Sequence, residues 1–593
     1  MAEEGLKISS LNPAGTLGGT EAAPIVQSGT TVKTTLKEIA DLEKSEIIND
    51  LTTGGATKFA SAETVKTLQT NKLDKTSVKT VAGTSNTDVV SQKFTTDQLA
   101  LKAEKVTGAT AGNFAGLDVN GNLTDSGKKA TDFELADATI LKEADVKSEF
   151  GNSLGKPISQ KFFTDHLSDS LWYGIQWDVR VASTVVTRIG NAILHKTLPI
   201  QSGMRRCLLK DDGTVNYYLL ETDSTKKEDG TGALLDGTDG QVMVEIPAHY
   251  RRFDFDGYVA TCKISLFELP GFHYVPLSYR SAYEAALDRT IPETPKLASV
   301  VNNTVNFRGG NNTSVWDGTY RTLLCRPATS ISLTNFRTYA RNRGGAGKNG
   351  KGWNCDVYDI QKACHWLYLI EYANTNCQLP YNAESDANGY KQGGLGDGVS
   401  TLELSLWNTI NGHNPFVPCG HTNSLGNRSG IVPFIMPSEY GALTVQVPSY
   451  RGLENPYGHI WSWTDGCKCR IQSVASGALS QFYVCANPDN FQDTDYTNYV
   501  LRGLLSRTNG YVKKMIVGEY GENMLSEVGG SSTTYFSDYF YTGIPASGEA
   551  QSGVLFGGAA DNGAGGGFGA SSTDSAAGRA DAFIGSRLCF IPA

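Results

Sequence analysis

The chain has 593 residues, 65 of them glycine, and a formal net charge of −9. Its length exceeds what one core supports, so about two to four units are expected, and the glycine content favours β-rich, loop-rich architecture. The charge, with no basic run interleaved with aromatics, excludes a nucleic-acid surface, and no apolar run approaches the roughly 20 residues that insert across a membrane.

The opening, MAEEGLKISS, is acidic and lacks the apolar stretch of a secretion leader, so classical secretion is not expected and synthesis in the cytoplasm of the producing cell is. Further on, three segments resemble one another: FASAETVKTL (59–68), VSQKFTTDQL (90–99) and ISQKFFTDHL (158–167). Val90, Phe94 and Leu99, like Ile158, Phe162 and Leu167, fall on one narrow helical stripe behind a serine suited to N-capping. Helices this short are marginal alone, so the stripes call for identical partners packed side by side. Between the second and third segments, DVNGNLTDSG (118–127) carries the Asn-Gly pair of a tight hairpin, flanked by Leu117, Val119 and Leu123. Residues 51–171 are poor in aromatics, and one copy cannot bury enough apolar surface to offset chain entropy. An intertwined oligomeric shaft is the expectation; a disordered linker is the alternative.

The composition changes at SLWYGIQWDVRV (170–181), where tryptophan first appears. CLLKDDGTVNYYLL places a turn at Gly213 between apolar arms, and GQVMVEIPAHYRRF alternates around Val242, Val244 and Ile246, as strands do. Residues 172–236 are expected to form a small β neck. DVYDIQKACHWLYLIEYANTNC spaces Ile360, Ala363, Cys364, Leu367, Leu369, Ile370 and Ala373 as a helix, with Asp356 or Asp359 at its start. SYRGLENPYGHIWSWTDGC (449–467) reads as a rigid irregular loop anchored by buried rings. The eleven cysteines all follow residue 206, and Cys467 and Cys469 form an isolated pair in a loop; most are expected to be buried thiols.

Two resemblances follow from these motifs. ISSLNPAGTLGGTEAAPIVQSGTTVKTTLKEIADL (8–42), the three repeats and GNFAGLDVNGNLTDSGK resemble the start and shaft of bacteriophage tail fibres, in particular those of Bacteroides phages. This resemblance covers about the first 170 residues. It implies a homotrimer in the virion tail, bound to other virion tail proteins through residues 1–50, with a thin shaft over 51–171. MVEIPAHYRRF, WLYLIEYANTNCQ, YRGLENPYGHIWSWTDG and IGSRLCF are similar in content and order to C-type-lectin-like domains of the formylglycine-generating and retroelement variable-protein branch. That implies an α+β receptor-binding head over residues 237–593, within a mostly β multidomain chain with short helices.

In such heads the last strands are fixed and the segment between them faces the ligand. Here Gly557 to Phe583 would be that surface, which makes Asp561, Asn562, Phe568, Asp574, Arg579 and Asp581 the candidate receptor contacts, with Tyr535, Tyr539 and Tyr541 beside them. The expected ligand is a bacterial surface glycan or protein. The paired cysteines of formylglycine-generating enzymes are missing, so no catalysis and no catalytic residue are expected. A capsule-cleaving tailspike is the alternative, though no repeated β-helix rungs follow Trp172. No cofactor is expected. Calcium stays open, because Asp465 and ANPDNFQDTD offer oxygen ligands. His365 is read as a hydrogen-bonded core residue and His459 as an organiser of the aromatic loop.

Overall fold

The computed structural model describes residues 170–309, 324–344, 352–436 and 443–592; before them it describes only 22–27, 30–35, 78–79, 89–90, 111, 113–117 and 123–129. The chain divides into two compact units, one comprising 1–147 with 155–157 and the other 148–154 with 158–593. Secondary structure is 41% strand and 14% helix, which makes the protein mostly β.

In the first unit, Ala22–Gln27 pairs antiparallel with Thr30–Thr35, joining the Pro-Ile-Val stretch to the segment after the Gly-Thr turn. Asn113–Leu117 pairs antiparallel with Leu123–Lys129, and Leu117 faces Leu123, as the Asn-Gly hairpin requires. Asp125 organises this hairpin, accepting from Asn113 Nδ2 at 2.9 Å and from the Gly127 amide at 2.8 Å. Val90 lies in a two-residue strand parallel to Val78–Lys79, not on a helical stripe. The remaining stripe positions of the repeats lie outside the described residues.

The second unit is built around a seven-stranded sheet in the order Asp223–Lys227, Val215–Leu220, Arg205–Leu209, Gln241–Ile246, Ser278–Ser281, Leu588–Ile591 and Gly352–Cys355. The strand Gln241–Ile246 is buried on both faces. Val242, Val244 and Ile246 enter one apolar cluster, whereas Met243, with Cys207 and Leu209 of the neighbouring strand, enters another. The sheet is therefore the wall between two cores. The hairpin at Gly213 turns with φ +85°, and a side chain there would strike the ring of Phe590.

A five-stranded sheet runs His273–Val275, His249–Phe255, Val259–Ser265, Trp172–Asp178 and Thr187–Gly190. Two strands of residues 172–236 pair across the boundary expected for the neck: Trp172–Asp178 aligns residue for residue with Val259–Ser265, and Arg205–Leu209 with Gln241–Glu245, whereas Thr187–Gly190, Val215–Leu220 and Asp223–Lys227 pair only within that segment. A third, nine-stranded sheet orders Val500–Leu504, Ser480–Val484, Trp461–Gln472, Glu549–Gly557, Gly567–Ser572, Tyr539–Tyr541, Gly510–Val517 and Glu522–Val528, with Ile584–Ser586 parallel to Trp461–Trp463. It curls into a nearly closed barrel.

The helix Tyr358–Tyr372 crosses the interior, and every residue in it except Asp359 is buried. Its polar side chains are satisfied by distant partners. Gln361 Oε1 accepts from Asn523 at 2.9 Å, Lys362 meets Glu522 at 3.2 Å, and Glu371 pairs with Arg451 at 2.6 Å. His365 is a core residue as expected: Asn523 Nδ2 lies 3.1 Å from its Nδ1, and burial depresses its pKa to about 3. The helix begins with Asp359 in its first turn, as expected. Its N-cap is Val357, without a side-chain cap. Asp356 is taken by Arg280 at 2.6 Å, and Asp359 by Lys362 at 2.9 Å.

Of the stretch 449–467 expected as a loop, 449–450, 453–454 and 461–467 are strand, and the rest, up to residue 460, is held from several sides. Arg587 donates to the carbonyls of Glu454 and Asn455 at 2.5 and 2.6 Å. His459 Nε2 accepts the amides of Phe416 and Val417, which assigns its proton to Nδ1, 2.5 Å from Glu284. All eleven cysteines are free thiols, ten of them buried. Cys467 and Cys469 stand in the strand Trp461–Gln472 rather than in a loop. Cys589 is a core thiol whose pKa burial raises well above the usual value.

Candidate functional site

The strand Tyr539–Tyr541 sets up the site. It pairs with Gly510–Val517 on one side and with Gly567–Ser572 on the other. Alternation along the strand sends Phe540 into the core and places Tyr539 and Tyr541 together on the opposite face. Tyr511, opposite Tyr539 in register, stands edge-on to it at 5.0 Å. Tyr539 and Tyr541 are 4.7 Å apart, and Tyr541 meets Trp461 edge-on at 5.8 Å. Four rings thus form a continuous ladder from Tyr511 to Trp461.

At the Trp461 end the ladder opens into a cleft of about 170 Å³ lined by Trp461, Tyr541, Leu555, Asn562, Ser572, Asp574, Arg579 and Phe583. Asn562 is fixed by the amide of Ala559 at 2.6 Å and donates to the Tyr541 hydroxyl at 3.2 Å. Burial, with Tyr539 and Asp561 nearby, raises the Tyr541 pKa, so the phenol remains a neutral hydrogen-bonding group. Arg579 is pinned by Asp581 at 2.5 Å and by the Ser575 hydroxyl at 2.8 Å, and its guanidinium stands 5.8 Å from the centre of the Phe583 ring. Asp574 accepts from Ser572 and Ser575 through Oδ1 alone. Arg579 Nη1 and Asp574 Oδ1 form a partly exposed ion pair at 3.7 Å, and among the described residues Arg579 Nη2 and Asp574 Oδ2 make no hydrogen bond. A planar donor and a carboxylate acceptor therefore stand beside aromatic rings, a combination suited to a hydroxyl-rich ring or a polar protein epitope.

Of the nine residues proposed from sequence, Tyr541, Asn562, Asp574 and Arg579 line this cleft. Asp581 positions Arg579, Tyr539 is the next ring of the ladder, and Asp561 acts on Tyr541 electrostatically. Two are corrected. Phe568 is only 2% exposed; its ring stacks on Tyr368 at 5.1 Å and lies beside Tyr450 and Tyr457. Tyr535 sits away from the cleft in a left-handed turn (φ +55°), its carbonyl accepting from Thr375 Oγ1.

The expectation that all of Gly557 to Phe583 is a displayed surface is corrected as well. Gly567–Ser572 is a strand buried at every position. Its glycines allow close approach, since a Cβ on Gly569 would lie 2.6 Å from Asp538 and 3.0 Å from His365. Gln378 and Gln361 hold the same stretch by its carbonyls, at Gly563, Gly566 and Phe568. Only residues 561–564 and 574–583 supply outward groups. Trp461 and Phe583 were not anticipated as site residues; the lone aromatic closing the polar stretch 571–583 was the available signal for Phe583.

Asp465, proposed as an oxygen ligand, stands in the strand Trp461–Gln472 and gives both carboxylate oxygens to Arg337, at 2.5 and 3.0 Å, and Asp493 of the segment ANPDNFQDTD does likewise. Among the described residues no group of three His, Cys, Asp or Glu side chains is placed to hold a metal ion. Compared with known proteins, the chain matches no family model and no curated protein.

Proposed function

We propose that this protein is a bacteriophage tail-fibre subunit that attaches the virion to a bacterial surface receptor. In this proposal it is a homotrimer, residues 1–50 bind other tail proteins, residues 51–171 form the shaft, and the lobe from residue 172 is a C-type-lectin-like head without catalytic activity. The tail-fibre assignment rests on the sequence motifs. The receptor-binding role rests on one observation, the aromatic ladder ending in a cleft where Arg579 and Asp574 present unengaged polar atoms. Aromatic faces beside fixed planar polar groups suit both sugars and protein epitopes, and three copies on one shaft would raise weak binding about 100-fold or more through avidity.

The test is binding of the labelled full-length chain to a panel of bacterial strains and to their purified surface polysaccharides. Binding that falls in both Tyr541→Ala and Arg579→Ala, with the polysaccharide recovered at its original length, is the expected outcome. Shortened polysaccharide would instead mark the chain as a depolymerase. Undiminished binding by both variants would remove the cleft from receptor recognition.

A further inference from the structure

An apolar-walled cavity of the lobe lies away from the cleft and has no part in the function proposed above. It measures about 460 Å³, within the range of small-molecule sites, and its lining includes Arg251, Phe253, Tyr274, Ile360, Ala486 and Tyr520. Arg251 and His273 are directly opposed in register on neighbouring strands, so both side chains point to the same face of the five-stranded sheet.

Arg251 is only 8% exposed, yet it forms no ion pair among the described residues. Its Nη1 makes no hydrogen bond, and Nη2 has only a long contact of 3.5 Å to the Tyr520 carbonyl. The nearby carboxylates are already engaged. Asp359 pairs with Lys362 at 2.9 Å, Glu522 with Lys362 at 3.2 Å and Arg502 at 3.4 Å, and Glu519 with His273 at 3.1 Å. Burying a guanidinium without a counter-charge is costly, and desolvation indeed lowers the Arg251 pKa, with Asp359, Glu522, Cys262 and Tyr358 only partly offsetting it. At the mouth, Tyr274 is 58% exposed and Tyr520 37% exposed, leaving aromatic surface beside the unpaired charge.

We infer that this cavity is a second ligand site, in which Arg251 receives the carboxylate of a small organic acid whose ring packs against the apolar wall and the tyrosines at the mouth. A carboxylate matches the planar guanidinium in geometry and supplies the missing charge. A ring fits because Phe253, Ile360 and Val484 give the wall an apolar stretch, beside polar lining groups that include His273, Asn487, Arg502 and Glu519.

The experiment is ligand-observed NMR with the full-length chain, titrating glucuronate, its methyl ester and benzoate. Binding of either carboxylate with no binding of the ester is expected. Preference for glucuronate would point to an acidic sugar unit as the source, and preference for benzoate to a free aromatic acid. Arg251→Gln should weaken binding about tenfold or more, as loss of a charge-assisted pair implies. Because Arg251 is buried, Ala486→Trp serves as a second variant; Ala486 is exposed at the cavity, and the indole should close it without disturbing the core. The inference is overturned if neither acid binds, if the ester binds equally, or if Ala486→Trp retains full binding.

Discussion

Gly567 lies so close to Asp538 that a Cβ built on it would fall inside the van der Waals radius of the carboxylate Oδ1. The glycine run near the end of the chain is therefore a packing device, which lets a strand press against the carboxylate and the central helix. Gly567→Ala should cost about 1–3 kcal/mol, the usual penalty of overpacking, while Gly578→Ala, which meets nothing within 4 Å, should leave stability unchanged. Urea unfolding of the two variants checks the contrast.

Asp538 itself gives a pH signature. Burial raises its pKa well above the carboxylate range, against one backbone hydrogen bond from Gly569. Since the folded pKa exceeds the unfolded one, the protonated acid favours folding at low pH, and that contribution is lost as pH rises through the folded value. The stability of the parent relative to Asp538→Asn should therefore fall between pH 4 and pH 8. Paired unfolding curves at the two pH values test it, and a flat or rising difference would contradict the buried neutral acid.

Arg280 and Asp356 form a bidentate pair at 3.0 and 2.6 Å, with side-chain exposures of 3% and 0%. Asp356→Ala leaves the guanidinium buried without its partner, so a loss of about 3–5 kcal/mol is expected. The denaturant midpoint of this variant measures it directly.

In the cleft, Asp581 acts through Arg579 rather than on a ligand. Asp581→Asn should weaken receptor binding less than Arg579→Ala does, and should slow association less than it speeds dissociation, because a loosened guanidinium still carries its charge. Equal losses in both variants would instead make Asp581 a contact in its own right. Surface-plasmon kinetics on receptor-bearing material separates the two.

The helix Tyr358–Tyr372 was legible because Ile360, Cys364, Leu367 and Ile370 recur at helical spacing. Its complete burial was not, since the partners that make burial of Gln361, Lys362 and Glu371 tolerable lie 80 to 162 residues away. Asp356 is likewise local to the helix in sequence, but its guanidinium partner sits 76 residues upstream. In the candidate site, Tyr541, Asn562, Asp574 and Arg579 were found by chemistry and position along the chain. Phe568 misled because one ring among glycines carries no periodicity, so nothing local told an inward strand from an outward loop. Trp461 escaped because it was counted with the rings that anchor the aromatic loop, and only the parallel pairing with Ile584–Ser586 brings it beside Phe583.

The strand Leu588–Ile591 lies between Ser278–Ser281 and Gly352–Cys355, inside the sheet that separates the two cores. During translation, Ser278–Ser281 and Gly352–Cys355 must wait beside an empty slot while more than two hundred further residues are made. Until Leu588–Ile591 fills that slot the wall is incomplete, so the two apolar clusters lose their water together rather than one after the other along the chain.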